Sequence, residues 1–86
     1  MPETPDALVT VGIDVGSAAV EIAVVGTTAA GGETLIAFGN ERIRRRDPVA
    51  VATGLFGQML AEVGLEPAGL AYVATTGEGE LIPFRT

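Results

Sequence analysis

Residues 12–17, with the sequence Gly-Ile-Asp-Val-Gly-Ser, hold the residue types of this chain that are best suited to chemistry. Asp14 is predicted to end a β-strand, and the Gly-Ser turn after it exposes successive backbone N–H groups that can surround an anion. A carboxylate beside such amides suits Mg²⁺ together with a phosphate, because the metal neutralises the repulsion between the carboxylate and the phosphate oxygens. The same short pattern is also typical of an ordinary hairpin with an Asx-type turn, so two interpretations stay open.

Residues 74–80, Ala-Thr-Thr-Gly-Glu-Gly-Glu, form a second segment suited to phosphate. They are predicted to leave a strand that lies beside the first one. Thr76 and Gly77 would then face the Asp14 turn at the carboxyl edge of the sheet, where ligands bind in sheets of this kind. The alternative is a glycine-rich loop without a ligand.

Three apolar segments predict an antiparallel meander at the start of the chain. Residues 8–14 alternate in polarity, which places Val11 and Ile13 on one face of a strand. Residues 20–25 form a second, β-branched run, and residues 34–38 form a third. Glycine-containing turns separate these three strands.

The hydrophobic period changes to that of a helix after the meander. Asp47 is a candidate N-cap with Pro48 at the first helical position, and Gly64 suits the residue just past the helix. A fourth strand is predicted at residues 70–74, with residues 76–79 leaving it as a loop. The order β-β-β-α-β predicts an α/β protein, a mixed sheet with one helix, in which a right-handed crossover returns the fourth strand parallel to the first.

One helix covers only one face of a sheet. Because the strands are apolar on both faces, the second face is predicted to lack a cover. An exposed apolar face marks an interface or an aggregation surface, so we expect self-association through it. The missing cover also predicts that residues 8–86 are the N-terminal portion of a longer domain, preceded by a flexible tail at residues 1–7.

Composition and charge exclude several classes of function. The chain contains no cysteine and no histidine, which excludes disulfides, zinc fingers, iron–sulfur ligation and nucleophile–histidine pairs within it. A net charge of −6 argues against nucleic acid as a general partner. Residues 42–48, Arg-Ile-Arg-Arg-Arg-Asp-Pro, hold four of the five basic residues and are interpreted as a solvated connector or a subunit contact. With no basic leader and no membrane-length apolar run, the sequence predicts a soluble cytoplasmic protein.

The two motifs together resemble a known family. Residues 12–17, followed in the right order by Thr-Thr-Gly-Glu-Gly at residues 75–79, resemble the start of the superfamily of acetate kinase, heat-shock chaperones and actin. Residues 42–48 followed by residues 72–80 resemble more specifically the D-type ATPase subunit of benzoyl-CoA reductase, of the BadF/BadG/BcrA/BcrD family. The resemblance spans residues 9–82.

This resemblance implies a ribonuclease-H-like fold, of the actin-like ATPase kind, whose complete form binds ATP and Mg²⁺ between two domains. In the family, ATP hydrolysis drives low-potential electrons from a [4Fe–4S] cluster, held between two ATPase subunits, into partner subunits that reduce the aromatic ring of benzoyl-CoA. The chain would then be part of an ATPase or activator subunit, with nucleotide and those subunits as partners.

The resemblance also implies roles for residues of both motifs. Asp14 would help to place Mg²⁺ through water. Gly16 and Ser17 would contact the phosphates of the nucleotide. Thr76 and Gly77 would line the nucleotide cleft.

Glu78 would be the catalytic residue of the site, orienting the attacking water. Two features depart from the family pattern. Glu21 stands where the family usually has a lysine, and its carboxylate would oppose the phosphates. The second phosphate loop, the adenosine pocket and the cluster cysteines of the family lie beyond residue 86, so we expect the chain to be an N-terminal fragment that is inactive alone.

Two other functions fit parts of the sequence. Short nucleases that resemble Holliday-junction resolvases also open with Gly-x-Asp-x-Gly, and they need further carboxylates, for which Glu62, Glu78 and Glu80 are candidates. The Thr-Thr-Gly-Glu-Gly loop and the charge of −6 argue against a junction-binding protein. The third possibility is a non-catalytic module that dimerises through the uncovered face of its sheet.

Overall fold

Four strands and one helix follow one another in the predicted order. The computed structural model describes residues 8–78 and 81–86, so the predicted tail at residues 1–7 and Glu80 lie outside the described residues. The elements are β1 (Leu8–Val15), β2 (Ala19–Thr27), β3 (Glu33–Arg42), α1 (Pro48–Glu62), a short 3₁₀ turn (Pro67–Gly69) and β4 (Tyr72–Gly77).

The four strands form one mixed sheet in the order β3-β2-β1-β4. β1, β2 and β3 pair antiparallel, as expected for strands joined by short turns, whereas β4 pairs parallel to β1 after the helical crossover. The predicted meander and the predicted parallel return of the fourth strand are therefore both confirmed. A bulge between Val24 and Val25 in the pairing of β2 with β3 shifts the register there.

β4 ends later in the chain than the sequence predicts. Thr76 and Gly77, predicted to lie in a loop, are its last residues and pair with Asp14 and Val15 of β1. The parallel ladder with β1 supplies backbone partners for this polar segment, and that gain outweighs the turn preference of its sequence. β3 also extends beyond its predicted range, to Arg42.

α1 has the capping residues that the sequence predicts. The Asp47 carboxylate accepts a hydrogen bond from the Ala50 N–H at 3.3 Å, and Pro48 opens the first turn. Past its end, Gly64 has a φ of +73°, the left-handed conformation that favours glycine. Within the described residues, no helix is both long and apolar enough to cross a membrane.

The core lies between α1 and one face of the sheet. Its sheet side consists of alternate residues of the two central strands, and its helix side consists of six residues at helical spacing: Val11, Ile13, Val15, Val20, Ile22 and Val24 against Val51, Ala52, Leu55, Phe56, Met59 and Leu60. Gly39 on β3 lets the helix approach closely, because a Cβ there would lie 2.5 Å from the Met59 Sδ. The helix therefore sits directly on β2 and β3.

The opposite face of the sheet, called the open face below, carries no helix in the described part of the chain. Four large apolar side chains on it are at least half exposed: Leu8, Leu35, Phe38 and Tyr72. The sequence predicts this missing cover. Self-association through the face stays a prediction.

The C-terminal residues dock onto the domain, which the sequence analysis does not anticipate. Ile82 is fully buried in the core, and the Phe84 ring stacks on the Phe56 ring of α1 with centroids 4.4 Å apart. Thr86 donates its N–H to the Val73 carbonyl, and its hydroxyl oxygen accepts from the Val73 N–H at 2.8 Å. This segment thereby covers part of the outer edge of β4.

Replacing Ile82 with alanine should destabilise the protein by about 2–5 kcal/mol, because a fully buried side chain leaves a cavity. Leu81→Ala is the matched control, since the neighbouring Leu81 side chain is 64% exposed, and its effect should stay within about 0.5 kcal/mol. Urea unfolding of both variants measures the difference. Equal free energies of unfolding would contradict the docking of this segment.

Gly77→Ala should cost about 1–3 kcal/mol of stability. Gly77 has a φ of +66°, and a Cβ there would run into the carbonyl oxygen of Val15. Gly54→Ala is the control: Gly54 lies in α1 with nothing within 4 Å of an added Cβ, so that change should stabilise the protein by about 0.5–1 kcal/mol. Thermal unfolding checks both signs, and a stabilising Gly77→Ala would show that β4 ends differently.

Candidate functional site

The parallel pairing of β1 and β4 brings Asp14 and Thr76 together. They are register partners at the carboxyl ends of the two strands, and the Thr76 hydroxyl donates to Asp14 Oδ1 at 2.9 Å. Both residues are exposed. The predicted approach of the two motifs is therefore present, and the hydroxyl fixes the orientation of the carboxylate while leaving its other oxygen exposed to a ligand.

The turn between β1 and β2 is tighter than an extended phosphate loop. Gly16 donates its N–H to the Ala19 carbonyl at 3.0 Å, so this amide is already used within the hairpin. The tip of the turn consists of Ser17 and Ala18, which are both exposed. The amides and the hydroxyl that can meet an anion at this tip therefore belong to Ser17 and Ala18, whereas Gly16 contributes the compact turn.

Gly77 and Glu78 complete the same edge of the sheet. The left-handed conformation of Gly77 turns the chain so that the Glu78 N–H donates to the Val15 carbonyl at 3.0 Å. Glu78 is exposed beside the end of β1. All six residues singled out in the two motifs therefore lie along one edge.

A polar row crosses the open face at this edge: Asn40, Glu21, Asp14 and Thr76, each the register partner of the next. Glu21 lies directly across from Asp14, and the Asn40 side-chain amide donates to Glu21 Oε2 at 3.2 Å. Asn40 was missed by sequence reasoning, because only the register of β3 against β2 aligns it with Glu21. The row carries two carboxylates next to each other.

A shallow hollow of about 320 Å³ lies beside the polar row on the open face. Its floor is made of small residues that are register neighbours: Gly12, Ala23 and Ala74. Phe38 forms one wall, and the carboxylates of Asp14 and Glu21 form another. The hollow combines an apolar floor with an acidic rim, and the sequence predicts neither because both depend on register.

The carboxylates required by a nuclease do not gather here. Among the described residues there is no group of three or more acidic side chains that could hold a metal ion. Glu62 ends α1, and the chain must still run through the 3₁₀ turn and along β4 before it reaches Asp14. Glu80 lies outside the described residues.

The arginine run forms a compact connection between β3 and α1. Arg44 and Arg45 adopt left-handed conformations with φ of 49° and 66°, and both are exposed. The Arg46 guanidinium donates to the Ile43 carbonyl at 3.1 Å and to the Glu41 carboxylate at 2.9 Å. Arg46 therefore holds the connection against the end of β3, while its neighbours face solvent.

Comparison with curated proteins finds a relative over most of this chain. The chain is 42% identical to the D-type subunit of benzoyl-CoA reductase from Thauera aromatica over 78 residues, which is 91% of the chain and 27% of the relative. The chain thus spans about a quarter of the length of that relative. No protein-family model matches the chain.

Two solved structures share the fold at low sequence identity. The diol dehydratase-reactivating factor in its nucleotide-free form matches with a TM-score of 0.67 and 15% identity, covering 80% of this chain and 12% of its own. The Aquifex aeolicus member of the Ppx/GppA family matches with a TM-score of 0.53 and 12% identity, covering 88% and 28%. The chain is therefore related to the D-type subunits of benzoyl-CoA reductase, as the sequence indicated, and has the ribonuclease-H-like fold of the actin-like ATPases.

Proposed function

We propose that this chain forms the phosphate-binding edge of an ATPase subunit of the benzoyl-CoA reductase activator type. The observation that carries the proposal is the hydrogen bond between Thr76 and Asp14, which joins the two motifs beside the exposed tip of the first hairpin. The 42% identity to a benzoyl-CoA reductase subunit supports the assignment.

The residues at this edge fit Mg²⁺ bound together with a nucleotide. Mg²⁺ usually keeps several waters and binds one or two carboxylates together with substrate phosphates, so it does not need a cluster of three acidic groups. Asp14 offers one exposed carboxylate, already oriented by Thr76. When bound, the metal would neutralise negative charge on the phosphate oxygens.

The other residues of the edge would divide the remaining work. Ser17 and Ala18 would present amides and a hydroxyl to the phosphates from the tip of the hairpin. Gly77 would let the backbone pass close to β1, which keeps Thr76 beside Asp14. Glu78 would orient the attacking water as the catalytic residue.

In the complete assembly we propose that ATP hydrolysis at this edge drives low-potential electron transfer for the reduction of an aromatic ring. A second ATPase subunit and the substrate-reducing subunits would be the partners. A [4Fe–4S] cluster does not fit the residues of this chain, since none of its 86 residues is a cysteine. The chain would therefore contribute nucleotide binding, and the ligands of the cluster would come from elsewhere in the assembly.

Asp14→Asn should weaken binding of ATP in the presence of Mg²⁺ by about tenfold or more, because it removes the charge that attracts the metal. Binding without Mg²⁺ should not weaken, since the same change removes a repulsive charge. Calorimetry or amide chemical shifts of Ser17 and Ala18 measure both affinities. Mg²⁺-dependent affinity equal to that of the unmodified chain, or no saturable binding by either, would refute the proposal.

Thr76→Val supplies a second test at the same edge, because it keeps the shape of the side chain and removes the hydroxyl that orients Asp14. We expect about threefold weaker binding of ATP with Mg²⁺, as for the loss of one modest hydrogen bond. Thr53→Val is the matched control, since the Thr53 hydroxyl donates to the Val49 carbonyl within α1. An equal effect of both substitutions would show that the Thr76 hydroxyl has no special role.

Glu21→Lys should tighten binding of ATP by about threefold or more, because it replaces an anion beside Asp14 with a cation that attracts the phosphates. The gain should shrink as salt is raised, since the site is exposed and screened. Glu66→Lys makes the same change of charge beyond the far end of α1 and controls for net charge. Equal dissociation constants for the two variants would show that Glu21 does not act on the phosphates.

A further inference from the structure

β3 is an edge strand, and its outer side is free in the described part of the chain. The other edge of the sheet is partly occupied, because Thr86 bonds to both the N–H and the carbonyl of Val73 in β4. β3 is also the longest strand, with 10 residues. Edge strands of this length are usually protected against pairing with other chains.

The hydrogen bonds at the two ends of β3 define which backbone groups point outward. Ile43 donates its N–H to the Ala18 carbonyl, and the Gly32 carbonyl accepts from the Thr28 N–H, so both residues face β2. Backbone groups alternate between the two sides of an antiparallel strand, and the bulge at Val24/Val25 shifts the alternation once. The outward positions are therefore Glu33, Leu35, Phe38, Asn40 and Arg42.

These outward positions are self-complementary. If a second copy pairs antiparallel about a two-fold axis at Phe38, Leu35 lies opposite Asn40 of the second copy. Glu33 then lies opposite Arg42 of the second copy, and the symmetry repeats this opposite-charge pair at the other end. Every pair joins outward-facing backbone groups, so the register satisfies the hydrogen-bonding pattern of an antiparallel ladder.

Side chains at the centre and ends of β3 favour this pairing. Leu35 and Phe38 are 60% and 59% exposed, so contact between two copies would remove apolar surface from water. The single ion pair among the described residues joins Arg46 to Glu41, which leaves the Glu33 and Arg42 side chains without an ionic partner there. The outward carbonyl of Arg42 already accepts from the Arg46 guanidinium, which ends the ladder at that residue.

We infer that the β3 edge is a self-recognition surface, through which two copies of this chain pair antiparallel to give one continuous eight-stranded sheet. The two ion pairs between Glu33 and Arg42 set its register, and Phe38 lies at its centre. This pairing uses the backbone of an edge, whereas association through the open face would stack two sheets. It requires no nucleotide.

Sedimentation velocity over a range of protein concentrations tests the pairing through an exchange of charges. Glu33→Arg should weaken dimerisation about tenfold, because like charges then oppose each other at both ends. It also makes the chain less acidic, so relief of general repulsion would have the opposite effect. Arg42→Glu should likewise weaken the dimer, and the double variant Glu33→Arg/Arg42→Glu should restore the dissociation constant to within about threefold.

Two aromatic residues of similar exposure separate edge pairing from stacking of open faces. Phe38→Ser should weaken the dimer strongly, whereas Tyr72→Ser on β4, at the other side of the open face, should leave it unchanged. Circular dichroism confirms that each variant stays folded. A chain that is monomeric at every concentration would overturn the inference. A dimer that responds to Tyr72→Ser and not to the charge exchange would also overturn it.

Discussion

The parallel pairing of β4 with β1 is the constraint on which the rest of this structure depends. It aligns Thr76 with Asp14, and a slip of one residue would turn the Thr76 side chain to the buried face and separate the two motifs. The left-handed turn at Gly77 and the bond from the Glu78 N–H to the Val15 carbonyl close this pairing at its end. Parallel pairing in turn requires the long crossover that α1 provides, so the only helix of the described chain serves both the core and the site.

Strand alternation also decides where the chemistry lies. In β1 the residues Val11, Ile13 and Val15 face α1, so Gly12 and Asp14 must face the open side of the sheet. The candidate site therefore shares its face with the exposed apolar side chains rather than with the helix. A site built this way is open to solvent from above, and closing it over a nucleotide requires contact with another segment or another chain.

Local signals in the sequence were enough to predict the order of elements and the ends of the helix. Asp47, Pro48 and Gly64 act within one turn of the helix, and their effects do not depend on the rest of the fold. The extent of β4 and the docking of Ile82 depend instead on partners far away in the chain. The polar row, with Asn40 beside Glu21, and the use of the Gly16 amide within the hairpin likewise become visible only when register is known.

The charges of the polar row bear on how the proposed site would bind phosphate. The resemblance implies a lysine where this chain has Glu21, and a lysine would attract phosphate with or without a metal. Glu21 instead adds a second negative charge directly across from Asp14, while Asn40 neutralises none of it because an amide carries no charge. Two carboxylates repel phosphate more than one does, and they attract a divalent cation more strongly. On the proposed function, the effect of Glu21 is therefore to make phosphate binding at this edge conditional on Mg²⁺, more strictly than in a site that carries the lysine.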